Sequence, residues 1–163
     1  MSTPNRDRDE QGRARNARPR DAYGRPMPYE AAGVDRPPED ASLPPAEALA
    51  EAQRLLDTDR PFHAHEILEG AWKEAPEGER ELWRGLAQVA VGLTHAQRGN
   101  ARGAVSLLRR GAERVADYAG AAPHEIAATG VADYAYGLAD RVEGTGLDGV
   151  EAADRRVDLT AKT

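Results

Sequence analysis

The sequence predicts an all-α protein, a compact bundle of about five helices around a central antiparallel helical hairpin. Three observations predict it. From residue 45 to about 143, apolar residues recur at the helical spacings i, i+3, i+4 and i+7. No alternating strand pattern competes with that period. Between the two longest helical patterns stands Gly99-Asn100, a link short enough to fold one helix straight back on the other.

Each element has its own local cause. In AEALAEAQRLLD, Leu49, Ala52 and Leu56 place a first helix at about 45–57. Asp59 is a candidate cap for a second helix at about 60–75, whose first turn tolerates Pro61. Pro76 and Gly78 break the chain. A third helix, about 78–98, carries Leu82, Leu86, Val89 and Leu93 on one stripe and Trp83, Ala87, Ala90 and Thr94 on the next. A helix apolar on most sides is surrounded by others, so this one is central. Its Gly85 and Gly92 lower helix propensity but allow close backbone approach. Gly99 suits the position just past a helix end and Asn100 an N-cap. A fourth helix, about 101–118, follows with Ala104, Leu107, Leu108, Gly111 and Val115 on one face. Residues 119–130 read as a loop. A fifth helix, about 131–143, shows Val131, Tyr134, Leu138 and Val142.

The flanks differ. Eight of the 11 prolines fall in the first 45 residues, a stretch with few large apolar side chains. It cannot bury enough surface to offset its ordering entropy, so residues 1–42 are expected to form a disordered Arg/Pro-rich leader. Residues 43–143 are expected to form the helical bundle domain, and the Gly-rich, polar 144–163 a flexible C-terminal tail.

Composition narrows the function classes. The formal charge is −6, which argues against a dedicated nucleic-acid binder; only the leader, with seven arginines against four acids over residues 1–25, could engage RNA or an acidic partner. With no cysteine, thiol catalysis, disulfides and Cys-ligated zinc are excluded, and a cytoplasmic setting is expected. The longest apolar stretch, LAQVAVGL at 86–93, is far too short for a membrane span, and the charged N-terminus has no secretory apolar run. Partners otherwise stay open, a homo-oligomer among them. Ser2, Ser42 and Ser106 stand in no nucleophile-elbow motif. The small-residue rhythm at 85–108 is that of a tetratricopeptide hairpin, but no second copy recurs at a fixed period.

The informative polar residues lie in PFHAHEILEGAWK, residues 61–73. At about 100° per residue, Ala64, Ile67, Leu68 and Ala71 share the core face. His65 and Trp72 flank it, with Glu69 a little further round and within reach of His65 at i+4. Glu66 points away from the core face. His63 and His65 differ by about 200°, so one ion cannot bind both from a helix. His63 and His124 read as surface residues, and Trp72 and Trp83 as core. On the third helix, Arg84, Gln88 and His95 form a polar row with Val91 between them. The second and third helices are consecutive, so the two polar edges are expected to converge in a cleft of His65, Glu69, Trp72, Arg84, Gln88 and His95.

Three chemistries compete for that cleft. It could bind a small ligand or protein partner. His65, Glu69 and His95 could instead hold a single transition metal with one position open to water, Glu66 serving as base and Gln88 orienting substrate, as a metal-dependent hydrolase would need. The catalytic candidates are then His65, Glu66 and Glu69, and without metal a His65–Glu69 pair could do acid–base work. The zincin helix motif is absent, since its fifth position counted from His65 is Glu69, and a ferritin-like di-iron set would need two Glu-x-x-His segments and two further Glu. Finally, the same groups could be a buried hydrogen-bonded network that sets helix register.

The motifs F-H-A-H-E-x-x-E-x-x-W and L-W-R-G-L-A-Q-x-A-x-x-L-x-H-x-x-R-G-N-x-x-G-A, over about 60–118, resemble the family called domain of unknown function 309. The resemblance implies a small all-helical fold, found mainly in bacteria, and maps the family pattern onto Phe62, His65, Glu66, Glu69, Trp72, Gln88, His95, Gly99, Asn100 and Gly103. It implies no reaction.

Overall fold

The computed structural model describes residues 43–161. Within them the chain forms five helices: α1 (Pro45–Asp57), α2 (Pro61–Glu74), α3 (Glu77–Gln97), α4 (Ala101–Ala116) and α5 (Ala128–Thr145), followed by a single 3-10 turn, Ala152–Arg155. The leader expected over 1–42 lies outside the described residues.

α3 is the central helix, as its two apolar faces require. Leu82, Trp83, Leu86, Val89, Ala90 and Leu93 are almost wholly removed from solvent. Each large apolar side chain so buried contributes about 1.5–3 kcal/mol. Each helix packs on its neighbours in sequence, so α3 lies between α2 and α4.

The α3–α4 contact is made by backbone. A Cβ on Gly111 would stand 2.7 Å from the Gly85 carbonyl oxygen and 2.7 Å from Val89 Cγ2. A Cβ on Gly92 would stand 2.8 Å from Leu108 Cγ. The turn joining the two helices follows the sequence reading. Gly99 adopts φ +83, and the Asn100 carboxamide oxygen accepts the Gly103 N–H at 3.0 Å. On the far side, Arg109 ties α4 to α5 through Asp140 and Glu143, each at 2.8 Å.

Two local expectations fail. Asp59 does not cap α2. It adopts φ 59, and its carboxylate takes the Arg155 guanidinium at 3.1 and 2.9 Å. A charged partner from 96 residues away outcompetes the nearby amides.

Nor does the chain after α5 trail away from the domain. Val157 and Leu159 are buried, with Asp158 exposed between them. The Gln53 amide of α1 clamps this strap, accepting from Leu159 N–H at 2.8 Å and donating to the Val157 carbonyl at 2.9 Å. Ala127 N–H donates to the Leu159 carbonyl at 2.9 Å, and Ile126 and Thr160 form an antiparallel bridge. An alternation only three residues long inside a polar segment is too short to stand out by composition. Above it, Tyr134 donates its phenolic O–H to the Asp154 carbonyl, and burial pushes its ionisation well above the usual tyrosine range. Among the described residues, no helix is long and apolar enough to cross a membrane.

Candidate functional site

The core face of α2 has two polar edges, and each carries a His–Glu pair. On one edge His63 Nδ1 lies 3.0 Å from Glu66 Oε1. His63 is only 1% exposed, so the expectation of a surface histidine is corrected. At about 90° from the centre of the core face it sits on the margin that packing covers, and Glu66 turns toward it rather than outward. His124 is exposed, as expected, with Nε2 2.9 Å from Glu79 Oε1. Trp83 belongs to the core, whereas Trp72 is only half-buried.

The other edge bears His65, Glu69 and Trp72. His65 Nε2 stands 3.6 Å from Glu69 Oε2, and Lys73 reaches the other carboxylate oxygen at 4.0 Å. This edge runs beside the polar row of α3. At one end Arg80 and Arg84 lie over the Trp72 ring, 5.6 and 5.8 Å from its centroid. At the other, Arg98 lies over Phe62 at 5.5 Å, and Phe62 in turn packs on His65 with centroids 5.4 Å apart. These contacts run in opposite directions along the two helices, as an antiparallel pair requires. They bracket His65 and Glu69 on one side and Gln88, Val91 and His95 on the other.

Arg84, Gln88, Val91 and His95 are all half-buried. They form the strip of α3 left partly exposed between α2 and α4, called the trough below. The α4 wall is the edge that carries Gly103 and Arg114, and helical spacing puts Leu107 and Arg110 on the same edge. Arg114 meets Glu81 of α3 at 3.5 Å, and the first turn of α4 receives His95. A Cβ on Gly103 would stand 2.8 Å from His95 Cγ, so only glycine leaves room for the imidazole.

Asn100 fixes the chemistry of that ring. Its carboxamide oxygen is taken by the Gly103 N–H, so its Nδ2 donates to His95 Nδ1 at 3.1 Å. The ring proton therefore sits on Nε2. Burial, and then the Arg98 charge, hold His95 below the ordinary histidine range. His95 is a neutral, oriented N–H donor.

Two polar atoms in the bracketed stretch have no hydrogen-bond partner although they are buried: His65 Nδ1 and Gln88 Oε1. The Nδ1 of His95 is committed to Asn100. Among the described residues, no three His, Asp or Glu side chains are grouped to hold a metal ion.

Sequence reasoning placed Arg84, Gln88 and His95 on one strip but missed Arg80 and Arg98. The signal was there, since Arg80, Arg84, Gln88, Val91, His95 and Arg98 continue one stripe at steps of four, four, three, four and three. It missed the α4 wall because Leu107 scored as core.

Residues 49–107 match the model of the family described as Domain of unknown function (DUF309). Over this stretch the chain is similar to that family. The DUF309 match begins within α1 and ends within α4, so it contains the two α2 edges and the α3 strip, while α5 and the strap lie beyond it. Over 48 residues the chain is 48% identical to "Uncharacterized protein YpuF" of Bacillus subtilis (strain 168). That stretch is 29% of this chain and spans 28% of the relative's own length. No solved structure matches the chain.

Proposed function

We propose that the trough along α3 is a binding site for a small ligand or a protein partner, with His65, Glu69, Trp72, Arg84, Gln88 and His95 as its contact residues. The observation that supports this reading is the pair of buried, unpartnered acceptor atoms, His65 Nδ1 and Gln88 Oε1. A buried polar atom without a partner costs about 1–3 kcal/mol. A purely structural network would have paired these two. In a binding site the two side chains would turn outward to meet a ligand, since neither atom has accessible surface in the unbound chain. The arrangement is otherwise pre-organised: Asn100 and Gly103 orient His95, and stacking on Trp72 holds Arg84.

Gln88→Leu tests this. Leucine has nearly the same shape and removes the unpaired amide, so the variant is expected to be more stable than the parent by about 1–2 kcal/mol. Amide NMR with a metabolite library then locates binding, with shifts expected at His65, Gln88 and His95 in the parent and diminished in the variant. A Gln88→Leu variant that is destabilised instead makes the amide structural and refutes the reading.

A further inference from the structure

We infer that the occupant of this trough is an extended acidic peptide, gripped by arginines at both ends and by its own N–H groups in the middle. The inference rests on the binding reading above and adds the class of partner.

The length of the trough points to a chain. Arg84 on α3 and Arg98 at its C-cap, each stacked on an aromatic ring of α2, are fourteen residues apart. At about 1.5 Å rise per residue their backbones are about 21 Å apart. One compact anion cannot reach both ends. An extended peptide, at about 3.3 Å per residue, covers that distance in about six residues.

The middle of the trough selects peptide over a phosphate backbone. Glu69 faces His65 Nε2 and favours the proton there, which leaves Nδ1 an acceptor. Gln88 Oε1 is an acceptor as well, and since both atoms are covered in the unbound chain, each side chain turns outward to be met. Both need donors. An extended peptide offers backbone N–H groups on one side at every second residue, whereas the oligonucleotide backbone offers only acceptor oxygens between its charges. Val91 on the floor and Leu107 on the α4 wall, both half-buried, provide apolar ground for the small side chains between.

Charge agrees. The whole chain carries −6, yet this face sets Arg80, Arg84, Arg98, Arg110 and Arg114 against Glu69 and Glu81. Glu81 is shared between Arg84 at 3.9 Å and Arg114 at 3.5 Å, and among the described residues Arg80 and Arg110 make no ion pair. Guanidinium groups recognise carboxylates by paired hydrogen bonds, which suits a glutamate-bearing partner.

The test uses the full chain and fluorescein-labelled peptides in which two Glu-Glu pairs are separated by two, four or eight Ala/Ser residues, followed by fluorescence anisotropy. Tightest binding is expected at the four-residue separation, which sets the two Glu-Glu pairs about six residues apart, centre to centre. Affinity should fall at least fivefold at the other two, fall steeply with added salt, and fall at least tenfold in an Arg84→Gln/Arg98→Gln variant that retains its circular dichroism. An octathymidylate that binds as tightly as the best peptide overturns the peptide assignment. Binding indifferent to separation, or no binding up to millimolar protein, overturns it too. In each of those cases, library shifts at His65 and Gln88 would leave the binding reading standing, while a destabilised Gln88→Leu variant would remove that reading itself.

Discussion

The closeness of α3 and α4 can be measured with two glycine-to-alanine substitutions of identical chemistry. Gly111 and Gly137 are both interior helical glycines, so alanine gains about 1 kcal/mol of helix propensity at either. Only their surroundings differ. At Gly137 an added Cβ meets nothing within 4 Å. At Gly111 it would stand 2.7 Å from the Gly85 carbonyl oxygen and 2.8 Å from the Val89 amide nitrogen. Those are backbone atoms, so no rotamer change can relieve the clash and the helices must separate. Overpacking of this kind costs about 1–3 kcal/mol, and a clash with backbone belongs at the upper end or beyond. Subtracting the propensity gain, Gly111→Ala is expected to be net destabilised by about 2 kcal/mol, lowering Tm by about 4–12 °C. Gly137→Ala is expected to gain about 0.5–1 kcal/mol and melt a few degrees higher. Thermal unfolding followed by far-UV circular dichroism reads both. A Gly111→Ala protein that melts at or above the parent temperature would refute the backbone-on-backbone contact.

Two further outcomes are expected. Gln53→Ala removes both clamp bonds to the strap and should lower stability by about 1–3 kcal/mol, with hydrogen exchange accelerated at Leu159 before the helices; uniform protection would argue that the clamp is idle. His95 supplies a pH dependence of known sign. Burial and Arg98 depress its folded pKa below the unfolded value of about 6.5. Between the two values the unfolded chain binds the extra proton, so this contribution to stability is present above pH of about 6.5 and is lost as pH falls through the window beneath it. Urea midpoints across that window should fall more steeply for the parent than for His95→Gln, and equal slopes would exclude His95 as the source.

Much of the fold was legible because it rests on period. The stripes of α3, the Gly99-Asn100 turn and the α3–α4 hairpin are local patterns, each repeated enough times to be read. Gly85 and Gly92 were recognised as approach points for the same reason. What escaped was long-range. Asp59 looked like a cap because its partner, Arg155, lies 96 residues away. Val157 and Leu159 gave no sign that Gln53 would hold them. The site was read in half. Helical angles placed His65, Glu69 and Trp72 on one edge and Gln88 and His95 on a strip. They could not show that His95 leans on Gly103 of α4, because a wheel gives the direction of a side chain's root and not where its ring comes to rest.

The Gln53 clamp also bears on the order in which this protein can be completed as it is made. The α2–α3 and α3–α4 hairpins join neighbours in sequence and can close while later residues are still being synthesised. Gln53 must wait until Leu159 has left the ribosome, 106 residues later. Until then α1 lacks its seal, and the face that will receive Val157 and Leu159 stays open to chaperones or to a neighbouring nascent chain.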